Sequence, residues 1–504
     1  MSRRLHGARR LALGLGLGFE LAVAAGPGLA AEQAPPAGAA AAALPVQIGL
    51  GAEVLRLPGG ERMGLVAGQL LFQVAEHWWL GPVTYGAASG RRGGFFVGGL
   101  EVQHRWPLGH GLTLATGLSL GGGGGAGAPV GDGLLLRPSL ALTRAWGPLQ
   151  AGLSLSEVRF PGTAIRSRQA GLVLGWQGRF EHLPLARVGQ RVQAPGRSGL
   201  GVDQLALTVA QHRPDAGSGT RPLQLVGVRL DRRSGAGEGP LSWGLEAAAA
   251  AQGSAAGYME ILAHAGRDWR PLPGLALGLR AAAGLGGGGA VPTGGGGLLR
   301  LDGTLAATIH PGWQLGASWG RSHGHTPAMR GQRSGLWLAT DLEPAGVPAS
   351  PGRAGTVVRT TWGGGLLHIA PMDRRSGGRR SLDAVSLVLE RWIGPHAYLA
   401  GQAHSALAGA AGGYSIGLVG GGVASAAGGG WQAGAELLAG GAGGGGVDGA
   451  TGALLLGQAW ASHPLGDPAQ RLRLGLGVLR GSGGGPARPL LSLTWSTAFG
   501  QAGR

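Results

Sequence analysis

The side chains with the most obvious chemical potential cluster at Ser322, His323 and His325, in the string Arg321-Ser322-His323-Gly324-His325. A serine beside a histidine can be activated by general-base catalysis, as in hydrolases and acyltransferases. Triads are assembled across a fold, however, so adjacency in sequence supplies no geometry. The chain also has no Asn to complete a Ser-His-Asn set. The two histidines could ligate a metal, yet no third ligand lies at useful spacing and Cys is absent. The string reads as a loop between strands, where Ser and His are ordinary, so no catalytic, cofactor-binding or metal-binding residue is assigned. The glycine runs invite a phosphate-cradling reading, but a Walker loop requires a Lys and the chain has none. Residues 443–449, with Asp448, are similar to one calcium-binding nonapeptide, an architecture that requires a tandem array. The runs therefore read as flexible loops. Asp231-Arg232-Arg233 and Asp373-Arg374-Arg375, each followed by Ser-Gly, read as paired charges ending a strand; a lipopolysaccharide or lumen-charge motif is the alternative.

The background to these residues is unusual. The chain has 504 residues, of which 108 are Gly; 44% are hydrophobic and only 13% charged. That is too apolar for a disordered chain, and the glycines lack the three-residue period of collagen. A β-rich, glycine-punctuated protein remains. Every basic residue is Arg, giving a net charge of +17. The joint absence of Lys and Asn points to a GC-rich genome. The arginines are scattered, with no block of five, so a nucleic-acid partner is not expected. At the start, Arg3, Arg4, Arg9 and Arg10 precede an apolar stretch over residues 11–25 and the small-residue exit Gly28-Leu29-Ala30. This predicts a cleaved secretory signal over residues 1–30, followed by an Ala/Pro-rich mature start over 31–44. The absence of Cys fits an exported protein stabilised by packing and closure.

Past residue 30 the dominant signal has period two. Leu112, Leu114, Leu118 and Leu120 alternate with Thr113, Ala115, Gly117 and Ser119. The pattern recurs at Leu149/Ala151/Leu153/Leu155, Leu275/Leu277/Leu279 and Leu472/Leu474/Leu476/Val478. Strands are thus predicted, with leucines on one face and small or polar residues on the other. Pro/Gly turn signals separate them, and Trp106, Trp146, Trp176, Trp269, Trp313 and Trp460 sit near segment ends. Segments of about ten residues or more suit tilted membrane-crossing strands.

The end of the chain, Leu491-Ser492-Leu493-Thr494-Trp495-Ser496-Thr497-Ala498-Phe499, resembles the last strand of Gram-negative outer-membrane β-barrel proteins, which alternates and finishes on an aromatic. Here residues 500–504 follow Phe499. The resemblance is at class level and covers the signal, the alternation and this end. It implies an outer-membrane location, outer-membrane lipid and lipopolysaccharide as surroundings, and recognition by the barrel-assembly machinery through the strand ending at Phe499.

Three copies of one pattern organise the mature chain. Gly93-Gly94-Phe95 corresponds to Ala256-Gly257-Tyr258 and Gly412-Gly413-Tyr414, and Gly133-Leu134-Leu135 to Gly297-Leu298-Leu299 and Ala453-Leu454-Leu455. Copies over 45–185, 186–345 and 346–504 would each hold about eight strands, roughly 24 in total. The expected fold is all-β: one antiparallel transmembrane barrel of about 24 strands, with three tandem eight-stranded barrels as the alternative. The first is favoured because a face of Gly, Ala and Ser would leave a small barrel underfilled. It also predicts a wet lumen, where Ser119→Arg is accommodated and scattered arginines favour anionic solutes. The expected function is a pore, export channel or structural scaffold. An exported non-membrane β-sheet protein, such as an adhesin, and an outer-membrane lipid-modifying enzyme are the alternatives.

Overall fold

The computed structural model describes residues 42–193, 199–234, 241–251, 255–342, 354–448, 450–481 and 486–502. The predicted signal over 1–30 lies outside them, as does most of the Ala/Pro-rich stretch, of which residues 42–44 already belong to the first strand.

The chain closes on itself three times. The first barrel consists of β1 (Ala42–Arg56), β2 (Arg62–Gln73), β3 (Trp78–Ser89), β4 (Phe96–Gly109), β5 (Leu112–Gly124), β6 (Leu134–Trp146), β7 (Leu149–Arg159) and β8 (Arg166–His182). A short β9 (Arg191–Gln193) follows. The second barrel runs through β10 (Gln204–Pro214), β11 (Leu223–Ser234), β12 (Leu241–Ala250), β13 (Met259–Leu272), β14 (Leu275–Gly287), β15 (Gly297–His310), β16 (Trp313–Gly324) and β17 (Gly331–Asp341). The third is β18 (Ala354–Asp373), β19 (Arg379–Trp392), β20 (Ala397–Ala408), β21 (Ser415–Ala424), β22 (Gln432–Gly443), β23 (Gly452–Leu465), β24 (Asp467–Gly481) and β25 (Arg488–Ala502). Every neighbouring pair is antiparallel. Closure is made by β1 on β8, from Ala42 opposite His182 to Glu53 opposite Gly171, and likewise by β10 on β17 and β18 on β25.

The single 24-stranded barrel is therefore corrected in favour of three tandem eight-stranded ones. The underfilling argument fails because inward glycines are covered by long side chains from the adjacent strand. A Cβ on Gly422 would strike the ring of Tyr398 at 2.3 Å, one on Gly434 the ring of Trp460 at 2.4 Å, and one on Gly316 the ring of Trp337 at 2.2 Å. Glycine here makes room for a neighbour, so an inward face rich in glycine does not leave these interiors empty.

The shortest turns, at residues 110–111, 147–148, 273–274, 311–312 and 466, all lie at one end of their barrels, connections at the other end are longer on average, and the ends of β8, β10, β17 and β18 that face the linkers lie at the short-turn end. Outward positions carry an apolar band: Leu153 and Leu476 are 64% exposed and Leu301 is 61% exposed. Trp106, Trp146, Trp176, Trp269 and Trp313 stand exposed around the short-turn end, joined by Trp78, Trp243 and Trp431. Trp460 departs from expectation. It shares parity with Gln458 and Ser462 and points inward. Even strand number, unequal turns, an apolar outer band and a polar interior are the features of outer-membrane-type barrels.

The barrels interlock at their long-loop ends, and here the glycine runs find their place. Gly94, Gly257 and Gly413 adopt φ of +93°, +94° and +93°, and each precedes a buried aromatic, Phe95, Tyr258 or Tyr414. Each presses against a glycine run of another barrel: residues 93–94 on 287–296, residue 257 on 443–444, and residues 412–413 on 124–133. Backbone hydrogen bonds cross all three contacts, with Gly93 N donating to Gly294 O at 2.6 Å, Ala453 N to Ala251 O at 3.0 Å and Gly412 N to Gly131 O at 3.2 Å. The third–fourth strand loop of each barrel thus meets the fifth–sixth strand loop of another, first to second, second to third and third to first. This is a closed cycle with three-fold pseudosymmetry, the single-chain counterpart of a heterologous ring. The flexible-loop reading of the runs gives way to close backbone packing. A further seam joins the first and third barrels at the short-turn end, where Phe499 stacks edge-on against Phe180 at 5.0 Å and Phe72 meets Trp362 at 5.3 Å. There β9 pairs with the start of β18.

Candidate functional site: the barrel interiors

The alternation that sends leucines outward sends the intervening residues inward, and these include most of the charge in the strands. In the first barrel, Arg137 of β6 grips Glu53 of β1 with two hydrogen bonds of 2.8 and 3.0 Å, and Ser156 donates to the same carboxylate at 2.8 Å. Tyr85 and Ser119 share a 2.7 Å hydrogen bond, and Ser119 donates to Glu101 at 3.2 Å. Gln103 links Glu101 to Arg105, whose guanidinium lies 3.9 Å above the Trp79 ring. Ser119 is 0% exposed, so the expectation that it faces a wet lumen open to substitution is corrected.

The second barrel is denser. Arg300 of β15 reaches Glu246 of β12 through two hydrogen bonds, Asp302 at 2.7 Å and Glu260 at 3.5 Å. Arg333 of β17 bridges Glu260 at 2.7 Å and Glu246 at 3.3 Å, and Tyr258 donates to Glu260 at 3.1 Å. Toward the short-turn end, Asp231 receives Arg229 and His264, both at 2.8 Å, with Arg280 at 3.7 Å. In the third barrel, Arg473 pairs with Glu436 at 2.8 Å and with Glu390. Tyr398 donates to Glu436 at 2.9 Å, and the Trp460 indole donates to Tyr398 at 2.9 Å. Arg473 stacks over Trp460 at 4.0 Å. These interior arginines face carboxylates, which removes the basis for an anion-selective lumen.

Filling differs between barrels. The first holds a cavity of about 300 Å³, lined from Glu53, Tyr85 and Arg137 at mid-height to Gln73, His77 and Gln177 at the short-turn end. The second holds about 20 Å³ around Asp231, Arg280 and Gln314. At the long-loop end all three are stoppered by apolar side chains: Leu55, Met63, Phe95, Phe160 and Ile165 in the first, Leu223, Tyr258, Leu298 and Met329 in the second, and Met372, Leu382, Tyr414 and Leu490 in the third.

The string at Ser322 is strand and not loop, since β16 runs to Gly324. Ser322 points inward and is buried, whereas His323 on the same strand is exposed on the opposite face, so the two cannot share a proton. His325 is also exposed. The alternation itself carries this answer. Among the described residues no group of three metal-ligating side chains converges. One dyad carries no sequence motif, because it joins two strands: Ser386 and His404, opposite one another on β19 and β20, lie 2.7 Å apart, with Gln402 at 3.2 Å from the other ring nitrogen. Both are buried in the third interior, and neither cavity described above reaches them. Asp231 and Arg233, of the two Asp-Arg-Arg strings, point into the second interior, while Asp373 pairs with Arg488 at 2.6 Å at the outer mouth of the third.

No family model and no curated protein matches the chain. Among solved structures it is similar to OccK9 (OpdG) of Pseudomonas aeruginosa, at 12% identity over 91% of this chain and 98% of that one, with a TM-score of 0.20. It is also similar to a mutant of the ferric enterobactin receptor PfeA of the same organism, at 10% identity over 90% and 80% with a TM-score of 0.28, and to the FrpB iron transporter of Neisseria meningitidis, at 10% over 91% and 82% with a TM-score of 0.26. Values this low carry no inference about substrate or partners.

Proposed function

We propose that the chain is an exported outer-membrane protein whose three barrels form one lipid-embedded scaffold with stoppered interiors. The observation that carries this reading is the inversion of its faces: large leucines ring the outside while ion pairs fill the inside. In water, the exposed band would far exceed the apolar patch a soluble monomer carries. In a bilayer it is the surface required, and the tryptophans around one end sit where an interface would hold them. Short turns place that end at the periplasmic side. Delivery would use the segment predicted as a signal and recognition of the last strand at Phe499.

Of the functions open to such a barrel, the interior favours a scaffold over an open pore. Each route through a barrel meets both a buried charge network and an apolar stopper, and hydration through either is costly. The test has two readouts. After fractionation the full chain should pellet with the outer membrane and shift on an unboiled gel, and reconstituted in planar bilayers it should add no steady conductance. A soluble, unshifted chain would overturn the membrane reading; steady open channels would overturn the stoppered one.

A further inference from the structure

Outward positions near the long-loop end of the first barrel carry a feature the scaffold reading does not use. On β7 and β8, Arg159, Arg166 and Arg168 surround Glu157; Arg166 and Arg168 each donate to its carboxylate at 2.7 Å, and Arg159 does so as well. The row continues around the barrel. Arg56 of β1 donates its backbone N–H to the Ser167 hydroxyl at 3.0 Å, which sets it beside Arg168, and Arg56 stands opposite Arg62 of β2. Five arginines and one carboxylate thus share four adjacent strands, about 15 Å across at the usual strand spacing. All five arginines are exposed, and Arg56 and Arg62 have no ion-pair partner among the described residues. The nearby carboxylate of Glu61 is held by Arg92.

Directly below, on the same strands and the same outward face, lie Val54, Leu153, Leu155, Leu172 and Leu174, all exposed. A bidentate donor row at the upper edge of an acyl-chain surface has the geometry for a phosphorylated lipid, with headgroup on guanidinium and chains on leucine. Among the described residues the other barrels show no comparable run over four strands: in the second, Arg321 is bound to Asp215 at 2.9 Å and Arg213 to Gln211 at 2.7 Å, and in the third, Arg379 is paired with Asp373 at 3.3 Å and Arg480 stands on the outward face of β24. We propose that β7, β8, β1 and β2 form a binding site for a phosphorylated glycolipid or phospholipid headgroup in the outer leaflet, held by Arg56, Arg62, Arg159, Arg166 and Arg168. This rests on the membrane reading.

The probe is diphosphorylated lipid A, present at a few mole per cent in phosphatidylcholine vesicles into which the full chain is refolded; the lipid retained by protein re-extracted in mild detergent is counted by native mass spectrometry. The wild type should retain diphosphorylated lipid A at least tenfold over its dephosphorylated form. Arg56→Gln/Arg166→Gln/Arg168→Gln should lose that preference, whereas Arg321→Gln/Arg379→Gln/Arg480→Gln should keep it. Arg56→Gln/Arg62→Gln serves as a milder variant that leaves all three arginines on Glu157 and disturbs no ion pair among the described residues, with a severalfold loss expected. Equal retention of both lipids, equal loss in the control variant, or displacement by millimolar inorganic phosphate would each overturn the site while insertion, seen as the gel shift, stood. A chain that does not enter vesicles would overturn both readings.

Discussion

The first and second barrels share strand number, closure and stopper, yet the cavity beside Glu53 and Arg137 in the first holds about 300 Å³ and the one around Asp231 in the second about 20 Å³. The difference lies in what fills the lattice of inward positions. At mid-height the first has one arginine, Arg137, for Glu53, with Glu101 reached through Ser119 and Gln103. The second sets Arg300 and Arg333 among Glu246, Glu260 and Asp302. An eight-stranded barrel leaves just enough room for side chains, so each added long charged residue removes space for water. Topology fixes the vessel, and the inward charges set how much of it is filled.

The largest effect should come from breaking the dense network. Arg300→Met leaves Glu246, Glu260 and Asp302 facing Arg333 alone, and an uncompensated buried charge costs about 3 to 5 kcal/mol. Against a total stability of 5 to 15 kcal/mol, that should nearly abolish the heat-shifted species. Arg137→Met in the first barrel also strands a carboxylate, but Ser156 stays bonded to Glu53 and the cavity can admit water. Its cost should be about 1 to 3 kcal/mol by urea titration. Equal losses would mean that interior volume does not separate the barrels.

The interlock comes next. A Cβ on Gly94 would lie 2.1 Å from the Gly288 backbone nitrogen, at a φ unfavourable to any L side chain. Gly109 has a similar φ of +88° but open space around it. Gly109→Ala should cost about 1 to 2 kcal/mol from backbone strain alone. Gly94→Ala adds overpacking of about 1 to 3 kcal/mol and should expose the loop at residues 90–95 to protease. If both variants behave alike, the loops do not bind the barrels together.

The sequence carried the strands, their faces and the threefold repetition, because period-two alternation and recurring Gly-aromatic pairs are local. Closure is not local. Nothing in β8 names β1 over β10 as its partner, and a tally of Gly, Ala and Ser at inward positions misjudged the filling. The signal that would have corrected it was present as charges spaced by two or four on the inward face: Glu101/Arg105, Arg229/Asp231/Arg233, Arg300/Asp302 and Arg471/Arg473. The same parity would have turned Trp460 inward and separated Ser322 from His323. The Ser386–His404 contact was hidden because it joins two strands.

Outer faces should not distinguish the barrels where interiors do. Leu172→Arg in the first and Leu301→Arg in the second, both more than half exposed, should each lower stability by about 2 to 4 kcal/mol in a bilayer, read as the urea midpoint in vesicles. Ser119→Arg should also fail, because it displaces the fully buried hydroxyl joining Tyr85 to Glu101 and adds an unpaired charge there. A tolerated Ser119→Arg would restore the wet-lumen picture for the first barrel.

The smallest effect separates the mouth of the first barrel from its interior. Glu61, in the loop between β1 and β2, is held by Arg92 through hydrogen bonds of 2.6 and 2.9 Å, and Arg92 also donates to Ala126 O at 2.9 Å. One ion pair thereby ties three loops over the stopper. The hydrogen bond from Arg92 holds the Glu61 carboxyl below its ordinary value of 4.5, and Glu61 in turn raises Arg92. A carboxylate depressed in the folded state binds its proton less readily than in the unfolded chain. Its contribution is therefore complete above pH 4.5 and is lost as pH falls through the depressed value. For a pair this close to solvent the amount is a few tenths of a kcal/mol, at most about 1. Between pH 6 and pH 3.5, wild type should lose slightly more urea stability than Glu61→Gln, which keeps the Arg92 bond to Ala126 but has no charge to titrate. Adding 1 M salt should shrink that difference, because a pair at the mouth is screened. A difference that survives salt would mean that the loops bury this pair as deeply as the barrels bury theirs.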